Sequence, residues 1–306
     1  MKPARRILLP WLLWLLQPLL IATPAAAAPM RFVYPPPENA DDQRQVYYWK
    51  LLEAVLESNR EQYGDYTLEA FPTPMNYQRA QAELEAGGER LNIFAPGTNR
   101  QLEQKLLAIP LPLDKGLLGL RLFLIMEPQQ TALDQVSNLE DLKAFRIGQR
   151  PSWTDTTILR HNGLSVVATD SFDGLFKGLQ ANRFELFSRG ANEIRAEWLS
   201  HRESTPGLAI ENRLALLYPL ARYYFVPRTP TGARMAERIR DGLLRLAASG
   251  EFERRYRAYK REVLRDLPLA GRKVFRLENP ELSNLAPPHS DTRWWDDFSA
   301  ELGPAR

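Results

Sequence analysis

FRIGQRPSWTDTTILRHNGLSVVATDSFDGLFKGLQANRFELFSRG, residues 145–190, is the stretch from which the fold is read. RIGQ, residues 146–149, predicts a short buried strand. A helical pattern follows over 155–160 and stops at Asn162-Gly163, residue types that accept the left-handed conformation closing a helix. SVVA, residues 165–168, predicts a second strand. Ser171 is a helix-capping residue type and opens a helix running to 181. A third strand is expected over 184–188. Strands separated by helices require crossovers, and crossovers place strands parallel with helices on both faces of the sheet.

The same alternation extends outward. Toward the N-terminus, MRFVY (30–34) and 66–71 predict strands. A helix over 41–58 carries Val46, Trp49, Leu52, Val55 and Leu56 on one face, and a helix over 77–86 is closed by Gly87-Gly88. LNIF (91–94) predicts a short buried strand, 101–107 a helix and 117–126 a long apolar strand. Asn138 caps a short helix. Beyond residue 190, a helix is expected over 192–200, strands over 214–218 and 223–226, and closing helices over 231–248 and 251–264. Two such series in succession suggest two α/β domains. The remainder, 267–306, is proline-rich, reads as irregular, and carries Trp294-Trp295.

The first 28 residues read as a cleavable secretion signal. Lys2, Arg5 and Arg6 precede an apolar stretch over 7–22, followed by TPAAAAPM, the order of charged, apolar and small-residue regions that a signal peptidase needs. Pro10, Gln17 and Pro18 interrupt the stretch, which falls short of the roughly 20 clean apolar residues of a membrane span. The general secretory route, with cleavage after Ala26 or Ala27, is therefore expected over a transmembrane anchor. The chain carries 40 Lys and Arg against 37 Asp and Glu. Loss of Lys2, Arg5 and Arg6 makes the two equal, which removes any basic excess of the kind nucleic-acid binding requires. There is no cysteine, so no disulfide and no lipid anchor is expected, and stability must come from packing.

Catalytic and metal signatures are missing. His161, His201 and His289 stand at unrelated places, with no HExxH, no GxSxG, no P-loop and no GxGxxG. No metal and no cofactor is expected. The polar loops are more informative, because in open α/β sheets ligands bind where strands end and helices begin. Three loops qualify: Thr98, Asn99 and Arg100; Arg150, Ser152, Trp153 and Asp155; and Arg189 with Glu193. They offer guanidinium groups for a carboxylate, carboxylates for an ammonium, and an aromatic wall. Arg100 opens a helix, where the dipole disfavours a cation, and this points to a ligand. Asp155 and Ser152 are equally suited to capping a helix, Trp153 to packing, and Arg189 to an ion pair with Glu193. Tyr34, ending the first strand, is a further candidate.

At these residues the chain resembles the amino-acid-type periplasmic solute-binding proteins, the family-three class with the type II binding-protein fold. APGTNRQLEQKLLAIPLPLDKGLLGLRLFLI (95–125) resembles that family's arginine-bearing loop, its helix and the strand that crosses between lobes. FRIGQRPSWTDTTILRHNGLSVV resembles the opening of lobe two, FKGLQANRFELFSRG a later helix–strand step, and GLLRLAASGEFERRYRAY the paired closing helices. The likeness spans roughly residues 30–262. It implies an α/β, two-lobed protein, each lobe a mainly parallel sheet flanked by helices, with a hinge between. Lobe one would comprise 29–118 plus 222–266, lobe two 119–221, and 267–306 the tail. It also implies that Arg100 grips a carboxylate. Gly97 stands where the family has threonine, and the family's ammonium-binding acid has no clear match; two or three arginines near the cleft would suit an anionic ligand better.

The function expected is that of a non-enzymatic, monomeric periplasmic protein, not inserted in the membrane after signal cleavage. It would capture a small carboxylate-bearing solute and pass it to an ABC permease or the outer domain of a sensor kinase. Two other readings stay open. One is a dehydratase-like enzyme using Asp155 and Glu193; the other is an envelope interaction protein contacting a partner through Trp294-Trp295. The signal reading has a direct check: intact mass of the exported protein should place its first residue at Ala27 or Ala28, and retention of residues 1–26 contradicts it.

Overall fold

The computed structural model describes residues 28–37, 44–75 and 77–303. The expected signal segment, and the start of the helix expected from Asp41, lie outside the described residues. β1 (Met30–Tyr34) is followed by α1 (Val46–Glu57), a short α2 (Arg60–Tyr63) and β2 (Tyr66–Ala70). β1 and β2 pair in parallel, with Phe32 opposite Leu68. α1 covers them with Trp49, Leu52, Val55 and Leu56 of the expected stripe and with Tyr48 and Leu51 beside it, while Val46 is only half-buried. α3 (Tyr77–Glu85) closes on Gly87 and Gly88, both at positive φ. LNIF is not a strand. Asn92 and Ile93 donate to the Val33 carbonyl, and the Asn92 side chain bonds the Val33 N–H and the Arg31 carbonyl. A side chain thus takes the places along β1 that a ladder would use, and only Phe94 makes a β-bridge, to Phe225.

α4 (Arg100–Lys105) and β3 (Leu107–Ile109) end the first pass through this lobe. A 3-10 turn, Leu117–Gly119, then leads into β4 (Leu120–Met126). The second lobe adds α5 (Gln130–Leu133), α6 (Leu139–Lys143), β5 (Arg146–Gln149), α7 (Thr154–His161), β6 (Ser165–Ala168), α8 (Phe172–Gln180), β7 (Leu186–Gly190), α9 (Ala191–His201), β8 (Leu208–Ile210) and β9 (Leu214–Leu217). The chain returns through β10 (Tyr224–Val226), antiparallel to β3, and closes with α10 (Pro230–Ala248) and α11 (Glu251–Val263).

The lobe-two sheet runs β11-β9-β4-β7-β5-β6, where β11 is Lys273–Arg276, and β8 also pairs with β4. β5, β6 and β7 are parallel, as the opening stretch predicts. β4 is antiparallel to β7, β8 and β9. The reason is directional: β4 leaves the hinge, whereas β7 arrives there, so that Arg121 faces Gly190 across the pair. β4 is buried on both sides, with Leu120, Leu122 and Leu124 in one core and Phe123 and Ile125 in another. Lobe one has a separate core, built from residues between Phe32 and Leu113 and between Ala221 and Phe252.

The two lobe crossings lie against each other. The Tyr218 N–H donates to the Gly119 carbonyl at 3.2 Å, and the Thr98 N–H to the Ala221 carbonyl at 2.8 Å. A Cβ on Gly119 would stand 1.9 Å from the Tyr218 oxygen, so no other residue allows that approach.

The tail is more ordered than its prolines suggest. Pro268 and Pro280 flank KVFR without interrupting it, and β11 pairs in parallel with β9. Beyond β11, Leu282, Ala286, Trp294 and Trp295 join the lobe-one core, and Phe298 and Leu302, the latter ending α12 (Ser299–Leu302), join lobe two. Among the described residues no helix is long and apolar enough to cross a membrane. Trp294 is 2% exposed and packs on Phe252 at 5.1 Å between ring centres. Trp294→Ala should therefore cost about 3–5 kcal/mol, read as a lower urea midpoint. An unchanged midpoint would show that the tail is not part of the core.

Candidate functional site

Strand direction decides where the polar loops go. β5 and β7 carry their carboxyl ends to the seam between the lobes, and α7 and α9 begin there. The loop after β5 brings Arg150, Ser152 and Trp153, and the first turn of α7 Thr154 and Asp155; the end of β7 and the first turn of α9 bring Arg189 and Glu193. The two crossings add Arg121 and Arg222. Lobe one faces them with Arg44, Trp49, Tyr77 and Phe94. These residues wall a cavity of about 190 Å³. Pockets for drug-sized ligands run to roughly 300–1,000 Å³, so this cleft suits a smaller solute. The lobes touch beside it at two points: the Asn99 amide donates to the Thr154 hydroxyl at 3.2 Å, and Arg44 lies 3.7 Å from Glu197.

Five arginines line the cavity against two carboxylates, Asp155 and Glu193. Both acids are already engaged. Arg121, 1% exposed, pairs with Asp155 at 3.2 Å and Glu193 at 4.0 Å, and donates to the Leu118 and Ser188 carbonyls. Asp155 also accepts the Tyr218 hydroxyl. Glu193 pairs with Arg189 at 3.0 Å, and Arg189 forms a two-pronged pair with Glu197. Burial alone would raise the Glu193 pKa, but the guanidiniums of Arg189, Arg121 and Arg222 lower it to about 2. Burial likewise opposes the charge of Arg121, and Asp155, Tyr218 and Glu193 more than offset it.

Arg150 and Arg222 are different. Neither has an ion-pair partner among the described residues, and the buried Nε of each has no hydrogen-bond partner. Arg222 donates from Nη1 to the Ala95 carbonyl at 2.6 Å and lies 4.6 Å over the Tyr48 ring. The first turn of α7 is also open, because Trp153 stands at its N-cap without a capping side-chain bond. Among the described residues no group of three or more His, Asp or Glu is placed to hold a metal ion.

Five of the eight expected site residues meet here: Arg150, Trp153, Asp155, Arg189 and Glu193. Three do not. Asn99 caps α4 by accepting from the Leu102 N–H, which turns the exposed Arg100 outward. Its backbone and side chain then bond Glu281 and the Pro280 and Leu282 carbonyls of the tail. Thr98 is fully buried and donates to Glu103 at 2.6 Å. Tyr34 stacks at 4.5 Å on Trp49, which itself forms the wall. The reading from sequence missed Arg121 and Arg222. Each is the one charge within a long apolar run (117–126 and 214–226), and a charge in a buried run must find partners or a ligand.

The depressed pKa of Glu193 makes a stability prediction. Its contribution is complete above the ordinary carboxylate value of 4.5 and is lost as pH falls toward about 2. Glu193→Gln should lower stability at neutral pH and flatten the loss between pH 4.5 and 2. Urea unfolding across that range checks it, and an acid limb as steep as the wild type's contradicts it.

No family model matches the chain, and no curated protein sequence does. Solved structures do share its architecture. An ancestral arginine-binding protein bound to arginine is 15% identical with a TM-score of 0.53, over 77% of this chain and 99% of that one. An amino acid ABC transporter substrate-binding protein from Streptococcus pneumoniae, bound to L-arginine, is 13% identical with a TM-score of 0.51, over 75% and 93%. An ancestral amino acid-binding protein described as a precursor of cyclohexadienyl dehydratase is 9% identical with a TM-score of 0.51, over 75% and 95%. At such identities the likeness is one of fold, and the fold is that of the two-lobed, type II periplasmic binding proteins.

Proposed function

We propose that this protein is a periplasmic solute-binding protein that captures a small carboxylate-bearing solute between its lobes and presents it to a membrane transporter or a sensor. The observation that carries the reading is the pair Arg150 and Arg222. Both line the cleft, lack an ion-pair partner among the described residues, and keep a buried Nε without a hydrogen bond. Arg222 is buried and Arg150 half-buried; a buried guanidinium without an ion pair is costly, and a solute carboxylate offers the bidentate geometry that relieves it. The open first turn of α7 adds N–H donors on the same side. Two of the structural neighbours named above are bound to arginine. This cleft has its acids committed to its own arginines and its uncommitted charge is positive, so an anionic solute or the carboxylate end of an amino-acid-like one fits better.

The other readings lose their supporting residues. A dehydratase-like enzyme would use Asp155 and Glu193 as acid and base, yet Glu193 is held ionised far below neutral pH and Asp155 is taken by Arg121 and Tyr218. An interaction surface at Trp294-Trp295 would need those rings exposed, and both are buried in the lobe-one core.

A thermal-shift panel of amino acids, dicarboxylates and small acidic peptides tests the proposal. A binder at 100 times its dissociation constant should add about 2.7 kcal/mol of stability. Arg222→Ala and Arg150→Ala should each abolish the shift. A panel that leaves the wild type unmoved, or a shift that survives both substitutions, contradicts the assignment.

A further inference from the structure

One cleft residue is placed as a ligand would be. The Arg189 guanidinium lies over three rings, at 4.6 Å from Trp153, 5.4 Å from Phe187 and 5.6 Å from Phe172. Trp153 and Phe187 have nearly parallel planes, with ring centres 6.3 Å apart, and Phe172 meets Phe187 edge-on. At its edges the guanidinium meets two carboxylates: Glu193 at 3.0 Å and the two-pronged Glu197. Aromatic faces and paired carboxylates are the chemistry that recognises a free guanidinium or ammonium. The groups come from separate elements, the loop before α7, α8, β7 and α9, and they converge on one planar cation at the cavity wall.

We propose that Arg189 is a built-in occupant of a cation pocket and that it sets the charge selectivity of the cleft. With its own side chain seated there, the chain refuses a cationic solute at that end and leaves its uncommitted positive charge for an anion. The pocket itself is competent: emptied of Arg189, it keeps three rings and two carboxylates, and would take a guanidinium from solution. The proposal rests on the solute-binding reading of the cleft, because an emptied pocket has to be reached through it.

The test compares wild type and Arg189→Ala by thermal melting in millimolar methylguanidine, with a dicarboxylate series in parallel. At a few-fold excess over its dissociation constant, methylguanidine should raise the melting temperature of Arg189→Ala by about 1–2 °C and leave wild type unmoved. A merely structural ion pair predicts lower stability with no recovery specific to the compound. Arg189→Ala strands two buried carboxylates and is at risk of misfolding. The double variant Arg189→Ala/Glu197→Gln removes one of those charges, keeps Glu193 and the rings, and should still gain from methylguanidine. A folded single or double variant that gains nothing overturns the proposal. If that happens while wild type responds to a dicarboxylate, the solute-binding reading stands alone. If the variants gain while wild type responds to no dicarboxylate, the pocket is confirmed and the anionic reading fails.

Discussion

A guanidinium buried where the chain crosses between lobes organises the cleft. Arg121 sits in an otherwise apolar strand and is 1% exposed, a position that is prohibitive for an isolated charge. Asp155 from the first turn of α7 and Glu193 from the start of α9 answer it. Glu193 in turn holds Arg189, and Arg189 holds Glu197. The chain of pairs ties three segments of lobe two to the hinge. It also engages the cleft's acids, whereas Arg150 and Arg222 have no ion-pair partner among the described residues.

The fold makes that arrangement possible through strand direction. β5, β6 and β7 run toward the hinge, β4 runs away from it, and the returning chain at Tyr218 lies against Gly119 within hydrogen-bond distance. The crossings therefore form the floor of the cleft as well as its hinge, and deliver Arg121 and Arg222 there. The tail adds a restraint beyond the two crossings. It leaves the lobe-two sheet after β11, touches Arg100, buries Trp294 and Trp295 in lobe one, and returns to lobe two at Phe298. A hinge motion that separates the lobes must accommodate this strap as well as the crossings.

Much of this was legible in the sequence because the signals were local. The alternation over 145–190, the Asn138 and Ser171 caps and the Gly87-Gly88 stop are each decided by a few neighbouring residues, and the structure places them as read. The lobe-two loops were legible for the same reason. Arg100 was misplaced because its direction depends on the residue before it: Asn99 takes the cap, and the arginine turns to a tail 180 positions away in sequence. LNIF was misread because an asparagine side chain imitates a strand partner. Arg121 lay in a run read as a long apolar strand and Arg222 between two expected strands, and in each case the lone charge among apolar residues was itself the clue. β11 was hidden by flanking prolines, since its pairing with β9 is long-range and no local pattern announces it.

The central claim is that the cleft of this protein accepts negative charge and refuses positive charge. Titration calorimetry of the purified wild type with dicarboxylates and with diamines of matched chain length tests it most directly. The account predicts saturable heat from a dicarboxylate and none from any diamine. Saturable binding of a diamine, with none of a dicarboxylate, would contradict it.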